Sequence, residues 1–384
     1  MALVELGSIL HFEKGKKPIS QSDSPADGFL PYVDIEAFET GKIKQYTDGT
    51  KCTPCDDGDI LIVCDGSRSG LVGRAVKGYV GSTLAKISAD CLSDQYLFRF
   101  VQGKYALLNT KKKGTGTPHL NQELLKQQKL IVPSYSEQER IVARIEELFS
   151  QLDAGVETLK KTKAQLAVYR QAVLKEAFEG DYPRKQLKEF SKAISGFAFK
   201  SSRYSPDGNY VVVKIGNVKE RHFDFSRDLT KTLEADDSIL EKYLLRRGDC
   251  LITLTGSRGK RDYGFVAMVG NQNNYLLNQR VAALRFDQSV ALPEFFQYYL
   301  ASPSYRDMFF GYETGNVGQG NVGIKALLDP YVILPDIDTQ KRIVEDVEDR
   351  LSVCDSIEQT VDTALQQAEA MRQSILKDAF EGRL

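Results

Sequence analysis

The amino-acid sequence predicts an α+β protein in which two mixed α/β heads are separated by a long antiparallel two-helix coiled coil, with an internal pseudo-twofold repeat. Three observations predict this fold class. Residues 131–180 match residues 333–382 at a constant offset of 202 without a gap, each copy has the heptad spacing of a long helix, and the segments before the two copies share weaker motifs. The chain order is therefore head, rod, head, rod.

The bulk properties fit this organisation. The 384 residues are too many for one ordinary core and suit two or three domains. The sequence opens without a secretory signal pattern and has no stretch of ~18 apolar residues, so we expect a cytoplasmic protein with no membrane contact. Six irregularly spaced cysteines favour reduced thiols rather than disulfides, which agrees with the cytoplasm.

The first head is assigned to residues 1–135 and the second to residues 181–335, each a mixture of helices and short strands. Strands are predicted at residues 60–63, 210–213 and 250–254 between polar turns. Residues 58–62 and 66–68, Gly-Asp-Ile-Leu-Ile and Gly-Ser-Arg, reappear in the second head as Gly-Asp-Cys-Leu-Ile at 248–252 and Gly-Ser-Arg at 256–258, at an offset of 190. The two heads are therefore distant copies of one fold.

Both copies of the long repeat carry an apolar heptad seam, which predicts one long helix in each copy. We assign the first rod to residues 136–180 and the second to residues 336–384. At ~1.5 Å rise per residue, about 40 residues give a rod on the order of 60 Å. The seam expected to pack helix against helix comprises Ile145, Leu152, Leu159, Leu166 and Val173, and in the second rod Val347, Cys354, Val361, Ala368 and Ile375.

A second heptad series is predicted to form the less regular edge of the same stripe, because small and polar residues interrupt it. Its members are Ile141, Leu148, Gly155, Thr162 and Tyr169, with Ile343, Arg350, Ile357, Ala364 and Met371 at the matching places. If the two ends of the second head lie close together, the rods run antiparallel. We then expect the heads at opposite ends of a helical spacer.

The charge is partitioned between rods and heads. Residues 131–180 and 333–384 together carry a net charge of -7, and the rest of the chain carries +6, within a whole-chain net charge of -1. The basic excess of the heads lies in local clusters: Lys14, Lys16 and Lys17, then Lys111, Lys112 and Lys113, then Arg258, Lys260 and Arg261. Such groups neutralise nucleic-acid phosphates, although a basic run by itself is more often a solvated surface.

Each head also has a glycine-rich polar loop, at residues 114–121 and 315–321. Glycines let backbone N–H groups approach a phosphate, and Asn or Gln can bind adenine with two hydrogen bonds. The competing interpretation is that these loops are plain turns. The candidate DNA-binding residues are Lys16, Lys17, Arg68, Lys111, Lys112, Lys113, Thr115, Thr117 and His119 in the first head, and Lys200, Arg258, Lys260, Arg261, Asn316, Gln319 and Asn321 in the second.

The repeated pattern resembles the specificity subunits of type I restriction-modification enzymes. It consists of a proline, Gln-x-Arg-Ile-Val, and a long heptad helix ending in Lys-x-Ala-Phe-Glu-Gly, and it occurs at residues 133–180 and 335–382. The resemblance covers nearly the whole chain, including residues 195–201, Ser-Gly-Phe-Ala-Phe-Lys-Ser. It makes the heads target recognition domains and the rods the regions that the family shares.

The resemblance implies that each head reads one half of a bipartite DNA site through the major groove, while the rods set the spacing between the halves. Because the two heads differ strongly, an asymmetric site is expected. The implied partners are double-stranded DNA, two methyltransferase subunits and restriction or translocase subunits. The resemblance implies no cofactor for this chain, with S-adenosylmethionine, ATP and Mg²⁺ expected on the partners.

Other functions are weighed against this one. A structural or adaptor protein with protein-binding heads is the alternative, and a self-contained nuclease or methyltransferase is disfavoured because the phosphate-loop and Asp/Asn-Pro-Pro-aromatic motifs are absent. We expect no catalytic residue and no metal. Residues 318–323 match G-x-G-x-x-G, but no strand is expected before them. Cys52 and Cys55 form a single C-x-x-C pair that Cys64 and Cys91 could complete as a zinc site, and plain thiols are preferred.

Overall fold

The computed structural model describes residues 2–114, 116–232, 236–316 and 318–384. The chain forms two compact units, the first comprising Met1–Lys160 with Asp362–Leu384 and the second Lys161–Val361. Each unit therefore contains one head and parts of both long helices. The division into four segments at residues 135, 180 and 335 stays a prediction. No helix among the described residues has the length and apolar content needed to cross a membrane.

Among its described residues the first head has ten short strands and four short α-helices, and the first long helix follows it. The strands are β1 (Ala2–Glu5), β2 (Leu10–Lys14), β3 (Leu30–Val33), β4 (Tyr46–Thr47), β5 (Pro54–Cys55), β6 (Ile60–Val63), β7 (Val72–Arg74), β8 (Gly78–Val80), β9 (Leu84–Ala89) and β10 (Lys129–Val132). The helices are α1 (Ile35–Thr40), α2 (Asp94–Gly103), α3 (Tyr105–Thr110), α4 (Gln122–Lys126) and the long helix α5 (Tyr135–Ala177).

The second head repeats the pattern. Its strands are β11 (Arg184–Gln186), β12 (Ser191–Ser195), β13 (Tyr210–Val213), β14 (Lys231–Thr232), β15 (Cys250–Thr253), β16 (Thr255–Gly256), β17 (Val266–Met268), β18 (Tyr275–Leu277), β19 (Val281–Phe286), β20 (Gly320–Asn321) and β21 (Tyr331–Ile333). Its helices are α6 (Asp237–Tyr243), α7 (Pro293–Ala301), α8 (Pro303–Gly311), α9 (Ile324–Leu328) and the long helix α10 (Ile337–Phe380).

The two heads share one sheet topology. The main antiparallel sheet has the strand order β2-β9-β6-β7 in the first head and β12-β19-β15-β17 in the second. In each head a parallel pair, β3 with β8 and β13 with β18, belongs to a smaller sheet, with the orders β4-β3-β8-β5 and β14-β13-β18. The predicted strands at residues 60–63 and 210–213 are confirmed, and the third ends one residue early, at Thr253. The weak sequence repeat therefore reflects a common fold.

The Gly-Asp motif that the heads share is structural. Asp249 is 1 % exposed, and its carboxylate accepts two hydrogen bonds from the Arg285 guanidinium, at 2.7 and 2.6 Å, and one from the Arg246 N–H at 2.8 Å. In the first head, Asp59 accepts in the same way from the Asp56 N–H at 2.8 Å and pairs with Lys86. The repeated carboxylate closes the turn that precedes a buried strand.

The long helices run antiparallel within each unit. In the second head, the first and last strands pair, with Arg184 opposite Ile333, so the chain leaves this head near the point where it enters. Val173, near the end of α5, accordingly shares a core with Val347, near the start of α10. In the first unit, Ile145 shares a core with Leu376. The start of one helix therefore lies beside the end of the other.

The predicted seam residues are buried or half-buried along both helices. Ile145, Val173 and Val347 have no exposed surface. Among the rest, Leu166, Cys354, Val361 and Ala368 are buried, and Leu152, Leu159 and Ile375 are half-buried.

The second heptad series is the less buried edge of the stripe, with six members half-buried, namely Ile141, Leu148, Thr162, Ile343, Arg350 and Ala364, and four exposed. Its members Tyr169, Ile357 and Met371 are 46 %, 40 % and 54 % exposed. The more buried edge lies on the other side of the seam, where charged side chains pack their aliphatic stems and pair their charged ends. Its residues are Phe149, Val156, Lys163, Arg170 and Ala177 in α5, and Leu351, Glu358, Leu365, Arg372 and Ala379 in α10.

Two ion pairs on this edge obey the internal repeat. In the second unit Arg170 of α5 pairs with Asp355 of α10, and in the first unit Arg372 of α10 pairs with Asp153 of α5. Both members of the second pair are related to the first by the offset of 202. Arg170 also pairs with Glu358 at 2.7 Å. Charged pairs between helices favour one register over others, and the same pair recurs in each unit.

A buried glutamine attaches the start of each long helix to its head. Gln340 has no exposed surface; its carbonyl oxygen accepts from the Leu292 N–H at 2.8 Å, and its amide donates to the Val290 and Pro335 carbonyls at 2.8 and 2.7 Å. Gln138 makes the same three bonds in the first unit, at 2.8, 3.0 and 3.1 Å. The glutamine of the repeated Gln-x-Arg-Ile-Val motif is therefore a structural anchor.

We predict that Gln340→Leu lowers the free energy of unfolding by about 2–4 kcal/mol, because it leaves one buried N–H and two carbonyls without this partner. Denaturant unfolding of the full chain measures the change. The exposed Gln366→Leu on the same helix is the control and should stay within about 0.5 kcal/mol of the unaltered chain. Equal unfolding midpoints for the two variants would contradict the anchoring role.

Candidate nucleic-acid interface

The structure joins the Gly-Ser-Arg turn of the first head to the polar loop. The turn follows β6, and Gly66 adopts a φ of 108° that favours glycine. The Leu120 N–H donates to the Cys64 carbonyl at 2.7 Å, and the Gly66 N–H donates to the Pro118 carbonyl at 2.8 Å. Two features that the sequence predicted separately therefore form one surface.

A carboxylate holds this surface together. Asp65 accepts from His119 Nδ1 at 2.7 Å and from Lys14 Nζ at 2.9 Å. Burial by itself would raise the pKa of the Asp65 carboxyl, but the hydrogen bonds from His119 and Lys14 outweigh it and hold the pKa below its usual value. Asp65 stays charged and orients one basic side chain from β2 and one from the loop.

The lysines of the run before the loop have different roles. The Lys112 ammonium donates to the Ser67 carbonyl at 2.8 Å and so braces the turn. Lys111 and Lys113 are exposed, and within the described part of the chain neither has an ion pair. Arg68 is paired with Glu39. Lys111 and Lys113 are therefore the charges most available to a phosphate.

Two further candidates belong to this loop. Thr117 is exposed. Thr115 lies outside the described residues.

The second head builds the same surface from other side chains. Strands β16 and β20 pair, with Thr255 opposite Asn321, and the Val322 N–H donates to the Leu254 carbonyl at 2.9 Å. That bond is the counterpart of the bond from Leu120 to Cys64. The Arg258 guanidinium donates to the Gly315 carbonyl at 2.8 Å and so spans turn and loop.

The turn of the second head is closed by Asp262, which accepts from the Ser257 N–H at 2.7 Å. Hydrogen bonding from the Ser257 side chain, and next from its backbone N–H, lowers the pKa of the Asp262 carboxyl. Arg261 adopts a φ of 53° and pairs with Asp307 at 2.6 Å. The remaining candidates of this surface, Lys260, Asn316, Gln319 and Asn321, are exposed.

Three candidate lysines lie on another segment. Lys16 and Lys17 follow the end of β2 by two and three residues, and Lys200 follows the end of β12 by five; all three are exposed. Gly196 precedes this segment in the second head, and a Cβ there would collide with the Asn278 carbonyl. The structure places these lysines in a loop beyond the main sheet and outside the joined turn and loop.

Sequence reasoning missed three residues of the surface: Asp65, Tyr263 and Glu313. A search for basic and amide side chains passes over two carboxylates and a tyrosine. The only available signal was their position, since Asp65 precedes the shared Gly-Ser-Arg motif and Glu313 precedes the second loop.

Neither competing motif has the structure that its function requires. Residues 318–323 overlap β20, which pairs antiparallel with β16, whereas a dinucleotide fingerprint requires a parallel βαβ unit. Burial raises the pKa of Cys55 to about 11, so its thiol is protonated at neutral pH. In the described part of the chain no three His, Cys, Asp or Glu side chains are grouped as metal ligands.

The sequence matches the family model described as the type I restriction modification DNA specificity domain, over residues 1–167 and 179–367. It is 25 % identical to the specificity subunit of the type I restriction enzyme MjaVIII from Methanocaldococcus jannaschii, over 100 % of this chain and 92 % of that protein. It is 22 % identical to the EcoBI specificity subunit from Escherichia coli, over 85 % of this chain and 73 % of that protein.

The fold is also similar to solved structures. A chain from a study of complex assembly and conformational transition in the type I R-M system superposes with a TM-score of 0.76 at 19 % identity, covering 100 % of this chain and 98 % of that one. The HsdS subunit from Thermoanaerobacter tengcongensis gives a TM-score of 0.56 at 19 % identity, with coverages of 100 % and 97 %.

The chain has two copies of one head, and each copy packs a basic turn against a polar loop. Two long helices follow the heads. These features define a DNA specificity protein with two recognition domains. The chain belongs to the family of type I restriction-modification specificity subunits. The adaptor alternative is not favoured.

We predict that replacing Lys111 and Lys113 together by Ala weakens binding to every DNA sequence and lowers the slope of log K against log salt by about 2, because each phosphate contact contributes about 0.9. Fluorescence anisotropy at several salt concentrations measures both quantities. The control is Lys160→Ala with Lys175→Ala, two exposed lysines of α5. An unchanged slope in the loop variant would exclude Lys111 and Lys113 as phosphate contacts.

Proposed function

We propose that each head reads one half of a bipartite, asymmetric double-stranded DNA site with its joined turn and loop. The observation that carries the proposal is the repeated backbone frame, in which the bond from Leu120 to Cys64 and the bond from Val322 to Leu254 hold equivalent surfaces. Cations on these surfaces, such as Lys113 and Lys260, position phosphates. Base edges are left to the polar side chains of the loops.

The two loops carry different polar chemistry on the same frame. The first presents Thr117 and His119, whereas the second presents Asn316, Gln319 and Asn321. Asn and Gln match the donor and acceptor pair of adenine in the major groove, and hydroxyl and imidazole groups have no such preference. The two half-sites are therefore expected to differ in sequence, and a palindrome is not expected.

The long helices set the spacing between the half-sites. At ~1.5 Å rise per residue, the 43 residues of α5 extend over about 65 Å. The pairs Arg170 with Asp355 and Arg372 with Asp153 oppose a sliding of one helix along the other. A spacer with one favoured register gives one favoured separation of the half-sites.

The exposed apolar series on the long helices is the proposed docking surface for two methyltransferase subunits. Ile357 and Tyr169 lie in the second unit, and Met371 lies in the first. Apolar side chains exposed at heptad spacing suit contact with a partner helix. Restriction or translocase subunits would join this complex.

The chain itself contributes recognition and geometry and performs no chemical step. S-adenosylmethionine, ATP and Mg²⁺ are assigned to the partner subunits, as is base flipping. Burial raises the pKa of Cys64 to about 12, as it raises that of Cys55, so neither thiol is activated as a nucleophile. We place the complex in the cytoplasm, where reduced cysteines are the ordinary state.

Co-expression with the methyltransferase encoded beside it, followed by genome-wide mapping of methylated adenines, tests the recognition role. The expected result is a new split, asymmetric motif that disappears when this chain is omitted. A stable complex that yields no motif, or a motif that persists without this chain, would overturn it.

We predict that Ile357→Glu and Met371→Glu each remove one of two bound methyltransferase copies, because each places a charge in an apolar contact. Native mass spectrometry of the co-purified complex counts the copies. The exposed Gln165→Glu and Gln366→Glu, which add the same charge to the same helices, are the controls. Two copies retained by both Ile357→Glu and Met371→Glu would place the docking surface elsewhere.

A further inference from the structure

A buried tyrosine lies directly behind the polar loop of the second head. Tyr263 follows the Gly-Ser-Arg turn and is 1 % exposed. Its ring packs edge-on against Phe310 and Phe309 of α8, at centroid distances of 5.0 and 5.9 Å. Its hydroxyl donates to Glu313 Oε1 at 2.6 Å. The tyrosine is thus a core residue whose one polar atom is directed at the start of the loop.

This hydroxyl meets both ends of the loop. Glu313 directly precedes the loop, and Gly320 lies near its end, paired with Gly256 of the turn. A Cβ on Gly320 would collide with the Glu313 carboxylate and come within 2.8 Å of the Tyr263 hydroxyl. The glycine is therefore required so that the loop can close over this bond.

The hydrogen bond between Tyr263 and Glu313 has the chemistry of a fixed support for the loop. A phenol that donates to a carboxylate makes a short, charge-assisted hydrogen bond, which is stronger than one between neutral groups. Burial, and next the hydrogen bond to Glu313, raises the pKa of Tyr263. The hydroxyl therefore remains a donor throughout the neutral range.

The first head has a hydroxyl at the corresponding place. Ser69 precedes Gly70 as Tyr263 precedes Gly264, and the N–H groups of both glycines donate to the preceding strand segment, at Val63 and Thr253. Ser69 has no exposed surface.

The single hydrogen of the Ser69 hydroxyl is shared among carbonyl oxygens on both sides of the joined surface, including the Cys64 oxygen at 3.1 Å. The hydroxyl oxygen lies 2.8 Å from the Gly66 oxygen in the turn and 3.4 Å from the Pro118 oxygen in the loop. The short Ser69 side chain and the longer Tyr263 side chain therefore place a hydroxyl at corresponding positions beneath the two loops.

We propose that Tyr263 and Ser69 are positioning residues for DNA reading, each holding the recognition loop of its own head. This inference rests on the proposed function, in which the loops read the half-sites. Neither hydroxyl contacts DNA; each acts through the loop that it supports.

Tyr263→Phe and Ser69→Ala test the inference in the full chain, co-expressed with the methyltransferase. Both replacements keep the packing and remove only the hydroxyl. The readout is methylation of a plasmid library in which each half of the mapped motif is randomised in turn. We expect Tyr263→Phe to lose about tenfold in base discrimination at one half-site, as for the loss of one charge-assisted hydrogen bond, and Ser69→Ala to lose about fivefold, as for the loss of one neutral hydrogen bond. The two variants should affect opposite halves.

Tyr305→Phe is the matched control. Tyr305 is 1 % exposed, it packs near Phe309 as Tyr263 does, and its hydroxyl is without a hydrogen-bond partner among the described residues. It should leave both half-sites unchanged, and thermal unfolding should show all three variants folded.

Two outcomes would overturn the positioning role while leaving the proposed function intact: discrimination equal to that of the unaltered chain, or an equal loss at both halves in either variant. If the unaltered complex yields no split motif, the recognition role fails, and the positioning role fails with it.

Discussion

The attachment of each head to two different long helices is the constraint on which the rest of the structure depends. Gln138 fixes the start of α5 to the first head, and Phe380 at the end of α10 packs against Tyr96 and Phe100 of the same head, at 5.0 and 5.2 Å. The second unit repeats the arrangement with Gln340 and with Phe178, which packs against Phe295 and Tyr299. Each head therefore depends on both helices, and the Ala-Phe-Glu-Gly ending of each rod is a docking element rather than a simple helix stop.

The sequence predicted the apolar part of the helix packing and missed the part made by charged side chains. The seam residues, such as Ile145 of α5 and Val347 of α10, are apolar and buried. Their heptad period could therefore be recognised in the sequence. The other edge was missed because Arg170, Glu358 and Arg372 occupy it, and a search for apolar periodicity discards charged residues. The charged residues are half-buried because each has a partner on the other helix within its unit, and pairing across helices cannot be read from either helix alone.

The candidate surface also has one part that the sequence predicted and one part that it did not. Its basic and amide residues were predicted from their chemistry, and the Gly-Ser-Arg turn from its recurrence. The contact between turn and loop was not predictable, because Gly66 and Pro118 are distant in sequence and are joined by backbone hydrogen bonds that depend on the strand order. The role of Asp65 follows from that contact, since its carboxylate gains His119 as a partner only when the loop has folded back.

Backbone hydrogen bonds hold the turn and the loop of each head together, so the fold of this surface does not depend on the side chains that the loop presents. The bonds from Leu120 to Cys64 and from Val322 to Leu254 use no side chain, so they persist whatever residues the loop presents. The supports beneath the loops are not fixed in the same way, because a serine serves one head and a tyrosine with a glutamate serves the other. Under the proposed function and the proposed positioning role, a change of recognised sequence involves the exposed loop residues and the buried support beneath them, while the sheet and the glutamine anchors stay as they are.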